Sequence, residues 1–371
     1  MDSGLVSGDE LGPAKIVQIY EPSVGLQAVL VIDNVAAGPS IGGVRISPDV
    51  TIAECRRLAR AMTLKNAAAG LKHGGGKAVI RADPKMPKKD KERLIRVLAY
   101  ALKDVREYII GPDMGTDEEC MAWIHDEIGR AVGLPREVGG IPLDEIGATG
   151  WGLRHAAEIA AAYCGFSLNG ARIVLQGFGA VGRHAARFLA AEGAVVVAVA
   201  DTGGAIHDPE GLDVEALIAL KSQGKSVTDL VNGASRLDND ELIGVPCEIW
   251  LPAARPDVIR EDNASRVKAK IVLPGANIAA TAEAEAILAQ RGVLCVPDFI
   301  ANAGGVICAA MEYAGATEAG ALQAIEEKLR RNTRDVLRTA REDGLLPREA
   351  AVRLATGRIK RAMSYRRWSL F

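Results

Sequence analysis

One segment near the middle of the chain limits the possible folds more than any other. An apolar strand, Ala171 to Gln176, runs directly into Gly177-Phe178-Gly179-Ala180-Val181-Gly182, which opens a predicted helix that continues to Glu192. A second apolar strand, Ala194 to Ala200, ends at Asp201, nineteen residues after Gly182. G-x-G-x-x-G alone is a weak signal, but strand, helix, second strand and terminal acid together predict a Rossmann-type dinucleotide-binding unit.

The residue types in this segment predict how a dinucleotide is bound. Gly177 allows the tight turn, Gly179 lets the backbone approach the pyrophosphate, and Gly182 lets the helix pack on the strand. Asp201 is expected to accept hydrogen bonds from the adenosine ribose and to repel a 2′-phosphate. Thr202 and the two glycines that follow offer no lysine or arginine to hold that phosphate. The sequence therefore favours NAD over NADP, the alternative being that Asp201 is an ordinary exposed loop residue.

Three further strands each end in a loop, and such loops meet at one edge of a parallel sheet. The strands are Cys247 to Leu251, Lys270 to Leu273 and Val293 to Val296. The residues in and after their loops are expected near the nicotinamide, although asparagine there is also ordinary turn chemistry. The predicted cofactor contacts are Thr149, Gly177, Phe178, Gly179, Ala180, Val181, Gly182, Asp201, Thr202, Ala253, Asn277 and Asn302.

Polar residues stand among glycines in the first part of the chain, in loops predicted at Gly38 to Gly43 and Gly74 to Gly76. Lys65 lies near the apolar face of a predicted helix, and Lys77 follows the second of these loops. Asp113 follows the short strand Tyr108 to Ile110. A buried lysine needs a partner or a polar cavity. The alternatives are that both lysines reach solvent and that Asp113 caps the next helix.

Length and composition indicate a two-domain cytoplasmic α/β protein. A chain of 371 residues is too long to fold around one ordinary hydrophobic core, which suggests two domains. The net charge of −2 and the aromatic content of 4% argue against nucleic acid or an anionic membrane as partner. No signal peptide, membrane span, C-x-x-C pair or metal site is recognisable. We expect a substrate-binding and oligomerisation domain with a mixed sheet at 1–140 and a doubly wound Rossmann domain at 141–330. Helices at 331–371 are expected to pack back on the first domain.

Seven motifs together resemble the glutamate/leucine/phenylalanine/valine dehydrogenases over nearly the whole chain. They are GPSIGGVR at 38–45, AMTLKNAAAGLKHGGGK at 61–77, PDMGT at 112–116, GATGWG at 147–152, GFGAVG at 177–182, PGAN at 274–277 and PDFIANAGGV at 297–306. The resemblance implies a homo-oligomer with its active site in the cleft between the domains. It also implies reversible oxidative deamination of an L-amino acid to a 2-oxo acid and ammonia, with NAD as hydride acceptor.

The resemblance also assigns roles to the polar residues. It implies that Lys65 holds the substrate carboxylate, that Lys77 is the catalytic lysine and that Asp113 is the acid/base. A desolvated lysine beside a second lysine can act as a base at neutral pH. The substrate pocket is expected to include Ile41, Gly42, Gly43, Met62 and Ala309.

Two positions in the expected pocket indicate the class of substrate. Glutamate enzymes of the family carry a lysine where this chain has Ile41, and a serine where it has Ala309. An unpaired substrate carboxylate there would be costly. The pocket therefore resembles the leucine-type branch and predicts an apolar L-amino acid, whereas Ala205 to Asp213 resembles the glutamate branch. A glutamate dehydrogenase with atypical contacts, and an inactive NAD-binding sensor or assembly protein, stay open as alternatives.

Overall fold

The structure is a computed structural model that describes residues 8–230 and 233–365. The chain divides into two compact units. The first comprises Met1–Pro142, Val306–Ala321 and Val352–Phe371, and the second comprises Leu143–Gly305 and Leu322–Ala351. The functional domain limits expected from the sequence, at residues 140 and 330, stay predictions.

The first unit contains a five-stranded mixed sheet in the order β1-β2-β4-β3-β5. Strands β1 and β2 form an antiparallel hairpin, whereas β3 runs parallel to both β4 and β5. This arrangement brings the starts of β3 and β4 side by side, with Ser40 next to Gly74. The strands are β1 (Lys15–Glu21), β2 (Leu26–Asn34), β3 (Ser40–Ser47), β4 (Gly74–Arg81) and β5 (Tyr108–Pro112).

Helices cover both faces of this sheet. Helix α1 (Ile52–Ala68) packs Cys55 and Ala59 against one face, whereas α2 (Lys88–Ala101) and α3 (Glu118–Ile128) join the core on the other. Thr51 caps α1, because its side chain accepts a hydrogen bond from the Glu54 amide. The sheet therefore carries a compact apolar core on the α2 and α3 face, and α1 lies over the other.

The second unit contains a seven-stranded sheet in the order β12-β11-β10-β6-β7-β8-β9. The first five strands in that order run parallel, and β8 and β9 add an antiparallel edge, so the predicted Rossmann-type architecture is confirmed. The strands are β6 (Arg172–Gln176), β7 (Val195–Asp201), β8 (Gly204–His207), β9 (Ser235–Leu237), β10 (Ile249–Pro252), β11 (Ile271–Val272) and β12 (Leu294–Cys295).

Helices make up most of the remaining chain. They are α4 (Ala148–Tyr163), α5 (Ala180–Ala191), α6 (Val214–Ser222), α7 (Ala282–Gln290), α8 (Asp298–Ala301), α9 (Gly304–Tyr313), α10 (Glu318–Asp343) and α11 (Pro347–Tyr365). Short 3-10 turns occupy Arg136–Val138, Val227–Asp229, Glu241–Gly244 and Ala264–Arg266. No helix in the described ranges is both long and apolar enough to cross a membrane. All six cysteines are free, and five of them are buried.

Several local predictions were wrong at glycine-rich positions. Gly74–Gly76 and part of Gly38–Gly43 lie within strands β4 and β3 rather than in loops. Glycine has a low strand propensity. It is nevertheless used in these strands because the neighbouring backbone approaches so closely that a Cβ atom would not fit. The N-cap of helix α4 is Gly147, in the left-handed region at φ 69°, so Thr149, a predicted cofactor contact, lies inside the first turn of the helix.

Candidate active site

Two of the polar residues that the sequence singled out in the first unit, Lys77 and Asp113, meet across β3, which lies between β4 and β5 in the sheet. Lys77 lies in β4, and its Nζ atom is 2.6 Å from Oδ2 of Asp113, which directly follows β5. The Lys77 side chain is only 7% exposed and that of Asp113 is 21% exposed. Neither residue is a solvated surface charge, and the cap of α3 is Asp117 rather than Asp113.

Glycines allow this pair to form. A Cβ atom on Gly43 would lie 2.8 Å from Cβ of Asp113 and 2.6 Å from the carbonyl oxygen of Pro112. A Cβ atom on Gly42 would lie 1.7 Å from the carbonyl oxygen of Gly76. Since real Cβ atoms do not approach so closely, any larger residue would push these strands apart. The Gly42-Gly43 motif therefore allows the close backbone approach that fixes the position of Asp113.

Arg45, which sequence reasoning did not assign to the site, completes the charged cluster. Its Nε atom donates to Oδ2 of Asp113 at 3.0 Å, and its Nη1 atom donates to Oε1 of Glu54 at 2.7 Å. The planar guanidinium can bridge two carboxylates in this way because its donors form a rigid fork. The sequence feature that indicates Arg45 is its place in the motif Gly42-Gly43-Val44-Arg45, close to the predicted pocket residues Gly42 and Gly43.

The electrostatic surroundings keep Asp113 ionised. Burial alone would raise the pKa of Asp113, but the positive charge and hydrogen bond of Lys77, together with Arg45, lower it below its ordinary value. The backbone also holds this residue, because its amide donates to Oγ1 of Thr116 at 2.9 Å. Asp113 is therefore a positioned carboxylate that is ionised at neutral pH.

The predicted substrate residues in β3 and α1 lie next to this cluster. Ile41 pairs with Gly75 across β3 and β4, and a Cβ atom on Gly75 would lie 2.0 Å from the backbone nitrogen of Thr63 in α1. Because side chains alternate along a strand, Ile41 shares the α1 face with Arg45, and Gly75 shares it with Lys77. The Ile41 side chain is buried, with 3% exposure. An apolar group therefore stands on the face that carries the charged cluster.

Helix α1 and helix α9 hold the remaining substrate candidates. Lys65 lies in the last turn of α1 and is half-buried, as is Met62 one turn earlier. Asn66, which sequence reasoning missed, is fully buried and its amide donates to the carbonyl oxygens of Gly74 at 2.7 Å and Ile41 at 3.3 Å. Ala309 is buried in α9. Asn66 therefore ties the end of α1 to the strands that carry Ile41 and the glycine run.

The fingerprint glycines of the second unit have the geometry that a bound pyrophosphate requires. Gly177 adopts φ 99°, and a Cβ atom on Gly182 would lie 2.0 Å from its carbonyl oxygen. A Cβ atom on Gly179, in contrast, would meet nothing within 4 Å. Gly179 is also the N-cap of α5 without a side-chain capping hydrogen bond. The start of α5 therefore offers its backbone N–H groups to an anion.

The predicted nicotinamide residues come together at the carboxyl edge of the parallel strands. The Asn302 amide donates to Oδ1 of Asn277 at 3.0 Å and to the carbonyl oxygen of Gly275 at 3.3 Å. Its own Oδ1 atom is buried and meets no hydrogen-bond donor within the described part of the chain. A buried acceptor of this kind matches the N–H donors of a carboxamide. The residues present therefore fit a nicotinamide dinucleotide.

Other predicted cofactor contacts differ in what they can offer. Phe178 is buried in the core, with 1% of the residue exposed, so its side chain does not face a ligand. Ala180 and Val181 form the first turn of α5, and Thr202 is exposed. Thr149 lies beside Gly305, where an added Cβ atom would be 3.2 Å from its Oγ1 atom. The backbone of Ala253 packs closely against Gly177.

Asp201 stands at the end of β7 as predicted, but its carboxylate already has four partners. Oδ1 accepts from the Ser226 hydroxyl and the Gly203 amide, each at 2.8 Å. Oδ2 accepts from Lys221 Nζ at 2.6 Å and from the Val227 amide at 3.1 Å. Burial tends to raise the pKa of Asp201, but these hydrogen bonds lower it overall. The local argument for NAD missed Lys221, which is twenty residues away in sequence.

Comparisons with known proteins identify the family of this chain. The family model "Glutamate/Leucine/Phenylalanine/Valine dehydrogenase" matches residues 139–367, and "Glu/Leu/Phe/Val dehydrogenase, dimerisation domain" matches residues 14–130. The glutamate dehydrogenase of Aeropyrum pernix is 39% identical over 359 residues, which cover 90% of this chain and 85% of that relative. The NADP-specific glutamate dehydrogenase of Saccharolobus shibatae is 38% identical, over 80% of this chain and 72% of its own.

A solved structure extends the likeness to three dimensions. The hetero-hexameric glutamate dehydrogenase from Thermus thermophilus, in its Leu-bound form, has a TM-score of 0.86 and 33% sequence identity. The match covers 96% of this chain and 91% of that one. The chain therefore belongs to the glutamate/leucine/phenylalanine/valine dehydrogenase family. It is a nicotinamide-nucleotide-dependent amino-acid dehydrogenase that acts on a CH–NH2 group.

Proposed function

We propose that this protein oxidatively deaminates an apolar L-amino acid, such as leucine or valine, to the 2-oxo acid and ammonia, with NAD as cofactor. The observation that carries the substrate choice is Ile41, a buried aliphatic side chain on the sheet face of the charged cluster. A substrate carboxylate placed against it would lose its hydration without gaining a partner, at a cost of several kcal/mol. An apolar side chain would instead gain free energy from burial.

The proposed roles follow from the charges on the α1 face. Lys65 holds the α-carboxylate of the substrate, because a lysine in the last turn of α1 supplies a compact positive charge. Gly42, Gly43 and Met62 shape the pocket, and Ala309 adds a small apolar wall. Lys77 and Asp113 act on the reacting carbon and nitrogen. Their 2.6 Å contact allows a proton to pass directly between the two side chains.

The dinucleotide, when bound, supplies the hydride acceptor. Asp113 accepts a proton from the substrate ammonium, which leaves a neutral amine able to form an iminium as hydride departs. Lys77 then positions the water that adds to the iminium carbon, and its ammonium stabilises negative charge that develops on the oxygen of the carbinolamine. One proton of that water passes to solvent as the carbinolamine forms. Asp113 then returns its proton to the nitrogen, and ammonia leaves as the hydroxyl proton of the carbinolamine passes to Asp113 and the carbonyl of the oxo acid forms. Asp113 releases this last proton to solvent and is ready for the next turnover.

Contacts to the dinucleotide are proposed for the second unit. Gly177 to Gly182 cradle the pyrophosphate at the start of α5, and Asn277 and Asn302 hold the carboxamide end. Thr149, Thr202 and Ala253 line the same ligand, and Asp201 lies at the adenosine ribose. The support is the open space at Gly179 and the buried Oδ1 atom of Asn302 that no described donor meets.

Glutamate is the second candidate substrate. It is favoured by the relatives, since those from Aeropyrum pernix and Saccharolobus shibatae are both glutamate dehydrogenases. The segment Ala205 to Asp213 also resembles that branch. Within this proposal, glutamate would need a positively charged partner other than position 41, which is isoleucine here.

We also propose that the protein assembles as a homo-oligomer through its first unit. The family model that matches residues 14–130 describes a dimerisation domain. The related Thermus thermophilus protein is a hetero-hexamer. Measurement of the molar mass in solution would test the proposal, and a monomer at micromolar concentration would contradict it.

Replacement of Lys77 tests whether the charged cluster is catalytic. In Lys77→Ala we expect kcat to fall by about 100-fold to 10,000-fold, the usual range for loss of an acid–base group. Binding of NADH, followed by its fluorescence, should be unchanged, because the dinucleotide residues lie in the second unit. The matched control is Lys72→Ala, an exposed lysine five residues earlier. Full activity in Lys77→Ala would contradict the proposed role, and absence of activity in the wild type would favour a binding protein.

A further inference from the structure

The ion pair between Asp201 and Lys221 changes what the ribose end of the dinucleotide site can recognise. Lys221 lies in the last turn of α6, and its ammonium is 2.6 Å from the Asp201 carboxylate. A carboxylate has about four hydrogen-bonding positions, and Asp201 uses four with its own chain. Asp201 is therefore not the uncompensated negative charge that normally excludes a 2′-phosphate.

The exposure of the two partners shows which charge meets a ligand. The Asp201 side chain is 6% exposed, whereas that of Lys221 is 22% exposed. An approaching ribose therefore meets the ammonium more than the carboxylate. Hydroxyl groups surround the pair, since Ser226 donates to Asp201 and Thr228 donates to Ser226 at 3.0 Å. Ammonium and hydroxyl donors are the groups that bind phosphate oxygens.

We propose that Lys221 makes this site accept NADP as well as NAD. The inference rests on the proposed dinucleotide site and deepens it by assigning the 2′-phosphate a partner. With NADP, Lys221 turns from Asp201 to the phosphate, while the Ser226 hydroxyl and the Gly203 and Val227 amides continue to satisfy the carboxylate. With NAD, the ribose hydroxyls replace one of those donors at Asp201. The two cofactors thus use the same pair in different ways.

The test is equilibrium binding of NADH and NADPH to the full-length protein, measured by the fluorescence of each dinucleotide. We expect the two Kd values in the wild type to lie within about tenfold of each other. Lys221→Gln should raise the Kd for NADPH by about tenfold or more, because a charge-assisted hydrogen bond is lost, and should change the Kd for NADH by less than about threefold. Asp201→Asn should act in the opposite direction and favour NADPH over NADH, because the ammonium stays and the competing negative charge is lost.

Two controls keep the outcomes separable. Lys221→Arg retains the positive charge and should keep NADPH binding. Lys225→Gln removes an exposed charge from the segment that follows α6 and should have no effect. NADPH binding more than about 100-fold weaker than NADH in the wild type would overturn the inference and leave the proposed function standing. Equal weakening of both dinucleotides in Lys221→Gln would also overturn it. Failure to bind either dinucleotide would instead contradict the proposed function itself.

Discussion

At the scale of single residues, Arg45 shows how the charged cluster is held. Its guanidinium joins Asp113, which follows β5, to Glu54, which lies in the first turn of α1. Its side chain is 19% exposed, so the two contacts are only partly screened by solvent. Arg45 touches Asp113 directly, and we infer that it orients this carboxylate and keeps it ionised without itself meeting the substrate.

Replacing Arg45 should alter the pH profile of the reaction as well as its rate. In Arg45→Met the positive charge that helps to lower the pKa of Asp113 is lost, so that pKa rises. The acidic limb of the kcat profile should move to higher pH, and kcat should fall by about tenfold to 100-fold. Arg45→Lys should restore part of the rate, since lysine keeps the charge but lacks the fork.

The control for this experiment is Arg81→Met, which removes an exposed arginine from the end of β4. Its pH profile should match that of the wild type. If Arg45→Met lowers kcat equally at every pH, Arg45 has only a structural role.

A site residue could be predicted from the sequence where the residues next to it along the chain indicate its role. Lys77 and Asp113 were selected from their glycine-rich surroundings and from the family motifs. Arg45 and Lys221 were missed because their importance depends on partners 68 and 20 residues away. Distances of that kind are set by the fold and leave no periodic pattern in the sequence.

At the scale of elements, two glycines near the turn between β6 and α5 have different roles, because Gly182 is needed for packing and Gly179 is proposed to leave space for the ligand. Gly182→Ala places a Cβ atom 2.0 Å from the Gly177 carbonyl oxygen and should destabilise the protein by about 1–3 kcal/mol. Gly179→Ala meets nothing within 4 Å and has φ −80°, so stability should stay within about 0.5 kcal/mol. NADH affinity should nevertheless fall in Gly179→Ala, because the new methyl group occupies the approach of the pyrophosphate.

Denaturant unfolding and NADH titration of the two variants would check this pair. Unchanged NADH affinity in Gly179→Ala would show that the pyrophosphate does not lie at this turn, and destabilisation of that variant would contradict the open space found beside Gly179.

Helix α4 contains a buried histidine held in its neutral form. Nδ1 of His155 accepts from Arg330 Nε at 3.1 Å and from Arg154 Nη1 at 2.8 Å, and Glu326 is 3.8 Å from Nε2. Burial, with the positive charges of Arg154 and Arg330, lowers the pKa of His155 to about 3. The folded protein therefore resists protonation of this ring, whereas the unfolded chain takes up a proton near pH 6.5.

This difference predicts a loss of stability in acid. Because the folded pKa is depressed, the contribution of His155 is fully present above about pH 6.5 and decreases as pH falls toward about 3. Between pH 7 and pH 5 the free energy of unfolding should fall by about 2 kcal/mol from this group. Denaturant unfolding of the wild type and His155→Asn would measure it, and identical pH slopes in the two proteins would contradict the prediction.

The elements themselves could largely be predicted from hydrophobic periodicity. The sequence predicts the helix that carries Lys65 (α1), the short strand β5 and the β6–α5–β7 unit. Glycine-rich strands could not be recognised, because β3 and β4 owe their glycines to close backbone contacts that only the folded structure contains. Local propensity favours a loop at such positions, and tertiary packing decides otherwise.

At the scale of the whole molecule, family membership and substrate choice rest on different observations. The family follows from matches over residues 14–130 and 139–367. The proposed preference for an apolar substrate depends on Ile41 and Ala309, against the glutamate dehydrogenases among the relatives. Relatives that share a fold and a catalytic cluster can differ in substrate through a few pocket residues, and the substrate therefore has to be measured on this protein.

The most direct test is the initial rate of dinucleotide reduction with leucine, valine, phenylalanine and glutamate, each with saturating NAD. We expect kcat/KM for leucine or valine to exceed that for glutamate by at least about 100-fold, because a buried apolar pocket leaves the glutamate side-chain carboxylate unpaired. A higher kcat/KM for glutamate than for every apolar amino acid would contradict the proposed substrate.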